Sequence, residues 1–110
     1  TTNKIIIPKE LKKILKNTSE ISKEKNIDLY FVYLPEKNRF TNNLLNDLNY
    51  RQYGKIKELV KSLNIPIIDL NLEFQKKFQD PLILYNKNYF HLNVLGYKSV
   101  GNIISDKMGE

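Results

Sequence analysis

The sequence predicts an α/β fold: a parallel sheet flanked by helices. Three observations predict it. Ile27–Leu34 and Ile65–Leu70 are short, nearly unbroken apolar and β-prone runs, as expected of strands buried on both faces. The segments around them carry apolar residues at three- and four-residue spacing, the period of a helix with one buried face. Helical crossovers between such strands place them parallel in one sheet. The order reads α-β-α-α-β-α-α, with no internal repeat and no low-complexity linker.

Taken in order, Thr1 to Ile7 is a loose lead-in, in which Ile5, Ile6 and Ile7 should pack. Pro8 fits the first helical position, where its missing N–H costs nothing. Leu11, Ile14, Leu15, Thr18 and Ile21 mark the buried face of a helix ending near Asn26. The first strand follows, with Asp28 at its solvated start. Pro35 to Phe40 is then a loop at that strand's carboxyl end, the side on which open α/β sheets bind ligands. Glu36, Lys37 and Arg39 are either its substrate contacts or solvated loop charges.

Thr41 suits the cap of a short helix carrying Leu44, Leu45 and Leu48. A second helix carries Tyr53, Ile56, Leu59, Val60 and Leu63 on one face and ends at Asn64, a left-handed C′ residue. In the second strand, Pro66 is tolerable only where no ladder N–H is needed. Asp69, at that strand's carboxyl end, suits a catalytic acid or a cap for the helix from Asn71 to Phe78. Asp80-Pro81 stops that helix, and Leu82 to Tyr85 leads into the loop holding the single histidine.

Composition narrows the function classes. With 110 residues the chain is one small domain at most. No apolar run approaches the roughly 20 residues that span a bilayer, so no membrane span is expected. Zero cysteines exclude disulfides and thiolate ligands, and one histidine does not build a zinc site, so neither metal nor cofactor is expected. The net charge of +6 invites a nucleic-acid reading. The lysines, however, are spread over several helices (Lys12, Lys13, Lys16 and Lys23; Lys55, Lys57 and Lys61), with acidic residues between them. Only Arg39 and Arg51 supply guanidinium, and no nucleic-acid module is recognisable. These charges read as solvated helix faces, and no nucleic-acid partner is expected.

The most informative stretch is Asn88-Tyr89-Phe90-His91-Leu92-Asn93-Val94-Leu95-Gly96-Tyr97. Asn93 is a good N-cap, and Leu92 and Tyr97 have the spacing of a hydrophobic staple. Tyr97, Val100, Gly101, Ile104 and Met108 continue as one apolar helix face. His91 therefore lies two residues before a helix N-terminus. That placement suits a general base, which must be positioned within a fraction of an ångström.

This stretch resembles the last block of the SGNH (GDSL-like) hydrolases, Asp-x-x-His followed by Leu-Asn-x-x-Gly-Tyr and a closing helix. His91, Leu92, Asn93, Gly96 and Tyr97 match, whereas Asn88 stands where the family has aspartate. Phe31-Val32-Tyr33-Leu34-Pro35 looks like the family's buried strand ending in proline, and Ile65-Pro66-Ile67-Ile68-Asp69-Leu70 like the strand before its histidine loop. The resemblance implies a three-layer, flavodoxin-like arrangement of which residues 1–110 are a single partial domain, the C-terminal portion. It further implies an acyl-ester or O-acylated carbohydrate substrate, with His91 as the base and Asn88 in the aspartate's place.

The resembled family attacks its ester with a serine from an N-terminal Gly-Asp-Ser block. Ser19, Ser22, Ser62, Ser99 and Ser105 lie in or beside predicted helices, away from any strand-to-helix nucleophile turn. The family's oxyanion blocks are missing as well, so these residues alone should be inactive. An asparagine carbonyl can hold the histidine tautomer but supplies no full negative charge; Asp to Asn in a serine protease costs about four orders of magnitude. A serine–histidine dyad, an aspartate supplied elsewhere and a noncatalytic copy all fit Asn88. The sequence thus supports the general-base part of an esterase, lipase or carbohydrate O-acyl hydrolase or transferase. The alternative is a noncatalytic α/β module for a glycan or protein partner. In either case the sheet edges should be completed by an N-terminal segment, a second chain or another copy.

Overall fold

The computed structural model describes residues 7–41 and 45–109, with the backbone alone for 45–50. It contains α1 (Lys9–Glu24), β1 (Phe31–Tyr33), α2 (Leu45–Ser62), β2 (Ile67–Asp69), α3 (Leu70–Lys77) and α4 (Val94–Met108). Short 3₁₀ turns occupy Lys37–Phe40 and Pro81–Leu84. β1 and β2 pair in parallel as a two-stranded sheet, so the fold is mixed helix and strand. The chain divides into two compact units, Thr1–Phe31 with Asp47–Ile67 and Val32–Asn46 with Ile68–Glu110.

In the first unit, Pro8 is the N-cap of α1, one position earlier than expected, and its carbonyl accepts from the Leu11 N–H at 3.1 Å. α1 buries Ser19 and Ser22, with Leu11 and Leu15 half-buried on the same side. Ile14, Thr18 and Ile21, expected inside, are exposed; Ile14 is 59% and Ile21 51% accessible. The apolar residues of α1 lie on one broad face, and packing covers only its edge, where Leu11 and Leu15 adjoin Ser19 and Ser22. The Ser22 hydroxyl tolerates this because it donates back to the Thr18 carbonyl at 2.8 Å. Ile5 and Ile6 lie outside the described residues.

α2 is one helix where two were expected, because Asn49-Tyr50-Arg51-Gln52 contains neither glycine nor proline to break it. Tyr53 and Val60 are buried, and Lys57 lies over the Tyr53 ring, 5.0 Å from its centre. The Thr41 hydroxyl closes the first 3₁₀ turn by donating to the Asn38 carbonyl at 3.0 Å, and the start of the helix it was expected to cap lies outside the described residues. Leu44 and the side chains of Leu45 and Leu48 lie outside the described residues. Asn64 adopts φ 59° after α2, as expected, and Asn26 does the same after α1 at φ 56°.

Both strands are shorter than their apolar runs. Pairing begins where the Phe31 N–H meets the Pro66 carbonyl at 2.9 Å, and three residues on each side form the ladder. Ile68 is buried, but Val32 and Leu34 are exposed, so β1 is not covered on both faces. A strand extends only as far as its partner does. Ile27–Tyr30 therefore remains irregular despite its β-prone side chains.

The second unit packs Leu70, Phe74, Leu84, Tyr85, Leu92 and Ile103 into its core. The Phe74 and Tyr85 rings meet edge-on at 6.5 Å, and Phe40 closes against both. Asp69 caps α3 by accepting from the Leu72 N–H at 3.2 Å. α3 ends at Lys77, before Asp80-Pro81; Asp80 caps the second 3₁₀ turn instead. α4 turns Gly96, Ser99 and Ile103 inward, while Tyr97 is 61% and Met108 53% exposed. Leu92, the other half of the expected staple, is buried while Tyr97 is not, and the buried face is rotated from the predicted one. α4 has a polar side at Lys98, Asn102 and Asp106, and over the remainder closest approach favours the part bearing Gly96 and Ser99.

Candidate functional site

The histidine loop is built from local hydrogen bonds. Tyr85 and Leu92 form an antiparallel bridge, and the Asn86 N–H donates to the His91 carbonyl at 2.8 Å, closing residues 86–91 into a compact loop. Within it the Asn86 side chain accepts the Asn88 N–H at 3.1 Å, a turn that asparagine favours.

Asn93 anchors this loop to both neighbouring elements. Its Oδ1 accepts the Gly96 N–H at 2.8 Å and caps α4, while its Nδ2 donates to the carbonyls of Ile83 at 2.7 Å and Tyr85 at 3.1 Å. Its backbone N–H adds a bond to the Leu84 carbonyl at 2.9 Å. One side chain thus satisfies an orphan helix donor and two turn carbonyls. Gly96 permits the approach: a Cβ there would fall 2.1 Å from the Leu84 carbonyl oxygen. The Leu-Asn-x-x-Gly part of the motif consequently has a structural role in this chain, holding α4 against the Pro81–Leu84 turn.

The loop after β1 meets the same structure. The Tyr85 hydroxyl donates to the Pro35 carbonyl at 2.6 Å. Burial, with the negative charge of Glu36 next in effect, pushes the Tyr85 phenol well above its ordinary range. The Lys37 ammonium points at three loop carbonyls: Asn86 at 2.6 Å, Lys87 at 3.0 Å and Tyr89 at 3.3 Å. His91 is therefore presented beside the segment leaving the carboxyl end of β1.

His91 is exposed, as is Asn88, and among the described residues no hydrogen bond joins the Asn88 side chain to the imidazole. Tyr89 and Phe90 precede it, exposed at 63% and 78%, so the histidine stands among solvent-facing aromatic rings. Of the three loop charges, Lys37 is engaged by carbonyls and the Arg39 guanidinium donates to the Tyr33 hydroxyl at 3.2 Å. Glu36 is exposed near Tyr85. All five serines lie in helices: Ser19 and Ser22 in α1, Ser62 in α2, Ser99 and Ser105 in α4. None stands on a strand-to-helix turn. The first unit has a cleft of about 190 Å³ lined by Ser19, Ser22, Lys23, Asp28 and Asn64, among others, but the Ser22 hydroxyl there is spent on Thr18.

Among the described residues no cluster of histidine and carboxylates could hold a metal, and no helix is long and apolar enough to cross a membrane. Comparison with protein-family models, curated proteins and solved structures finds nothing that matches the chain. The Lys37 contacts escaped sequence reasoning because their partners are 49 to 52 residues away. The packing role of Gly96, which the sequence marked only as part of the motif, was legible: a glycine in the first turn of a helix costs stability unless something must come close.

Proposed function

We propose that His91 serves as general base toward a serine supplied from outside these residues, in an SGNH-type ester hydrolase or O-acyltransferase. The observation that carries this reading is the presentation of His91. It is open to solvent beside the carboxyl end of β1, on a loop closed by its own backbone and held by Asn93. A purely structural histidine would be buried with both ring nitrogens satisfied by fixed carbonyls. The three-layer flavodoxin-like arrangement belongs to the same reading, supported by the parallel pairing of β1 and β2. The substrate is an acyl ester or an O-acylated carbohydrate, and Asn88 occupies the position of the orienting acid.

The test is made with the serine-bearing partner or parent protein, using a fluorophosphonate probe and an acetate-ester assay. His91→Ala should abolish turnover, and Asn88→Asp should raise it by restoring a negative charge next to the imidazole. Unchanged rates in both variants would remove the pair from the mechanism. A second reading, a noncatalytic module for a glycan or protein partner, is favoured by the exposed Tyr89 and Phe90 and by the unbonded Asn88 side chain. It predicts saturable binding that Phe90→Ser weakens while His91→Ala leaves it intact.

A further inference from the structure

We propose that Lys37 is a positioning residue whose ammonium sets the conformation of the loop presenting His91. The three donors of the ammonium match three backbone carbonyls, those of Asn86, Lys87 and Tyr89, at 2.6, 3.0 and 3.3 Å. These carbonyls come from one short loop and converge on a single point. Without a cation, their dipoles would face one another across that point. The lysine thus acts as a tethered cation inside a carbonyl cage, and bonds of this charge-assisted kind are about twice as strong as neutral ones. It reaches the loop from the segment after β1, so it also fixes where His91 stands relative to the candidate substrate side. The other bonds in the loop, Asn86 N–H to the His91 carbonyl and Asn88 N–H to Asn86 Oδ1, are local. Lys37 adds the long-range contact that orients them. Its importance to catalysis rests on His91 being the base, but the ordering of the loop does not.

Because His91 is the only histidine, its imidazole protons give one assignable signal set that reports on this loop. Lys37→Met keeps most of the stem and removes the charge. The imidazole signals should then move to the position of an unstructured peptide, and the Asn86 and Asn88 amides should exchange about tenfold faster or more. Exchange at Val100 and Ile103 in α4 should be unchanged. In Lys37→Ala, butylammonium should return the imidazole signals toward the wild-type position, whereas tetramethylammonium, a cation without N–H donors, should not. Wild-type imidazole signals in Lys37→Met overturn the proposal, as does a Lys37→Ala chain that butylammonium fails to restore. Failure of the ester assay with the loop readout intact would sink the reading of His91 as base and leave the role of Lys37 standing.

Discussion

Adding one methyl group at Gly96 tests how the histidine loop is assembled. An alanine Cβ would meet the Leu84 carbonyl oxygen at 2.1 Å and the Leu92 side chain at 2.9 and 3.0 Å. Leucine can change rotamer, but the carbonyl belongs to the backbone of the Pro81–Leu84 turn. Ordinary contact begins at 3.4 Å, so α4 and the turn would have to part by about 1.3 Å. That movement stretches the Asn93 bonds to Leu84 and Ile83, now 2.9 and 2.7 Å, beyond useful length. Losing both costs about 2 kcal/mol, and the overpacking itself about 1–3 kcal/mol. The better helix propensity of alanine returns about 1 kcal/mol. Gly96→Ala should therefore destabilise by about 2–4 kcal/mol in a urea titration and shift the His91 imidazole signals. Gly101, in the same helix, has nothing within 4 Å of its would-be Cβ and is exposed. Gly101→Ala should stabilise by about 1 kcal/mol. Equal effects of the two substitutions, or a Gly96→Ala chain as stable as wild type, would refute the close approach of α4 to the turn.

The remaining predictions concern the same unit and its surface. Asn93→Ala should cost about 2–3 kcal/mol, and Asn93→Asp, an equally good cap in isolation, nearly as much. The reason is that Nδ2 donates to two carbonyls that a carboxylate would repel, and urea midpoints of the two variants check it. Tyr85 is held protonated by burial, above its ordinary 10.0. Its contribution is thus complete below that pH and declines above it, as the unfolded chain alone releases the proton. Urea midpoints from about pH 8 to about pH 11 should show wild type losing ground to Tyr85→Phe only at the alkaline end. Exposed Ile14, Ile21, Tyr97 and Met108 should make the isolated chain associate with rising concentration, and size-exclusion elution independent of concentration would count against this.

Local chemistry made much of the fold legible. Asn64 as a left-handed C′ residue and Asn93 as an N-cap depend on a side chain and the backbone a few residues away, and both are found in place. The two apolar runs likewise marked where parallel strands would form, and Asp69 offered a cap that the next helix uses. Partners distant in sequence decided the rest. Strand length followed the three-residue ladder and not the longer apolar runs, because backbone pairing needs a second strand. The buried face of α4 passed from Tyr97 to Gly96 and Ser99, because packing against the Pro81–Leu84 turn rewards closeness over hydrophobicity. In the candidate site, the sequence by itself determined that one histidine would precede a capped helix. Only the tertiary structure decided that Lys37, about fifty residues away, would seat its ammonium among that loop's carbonyls. A converging set of backbone dipoles exists only once the loop has folded, so no pattern of residue types announces it.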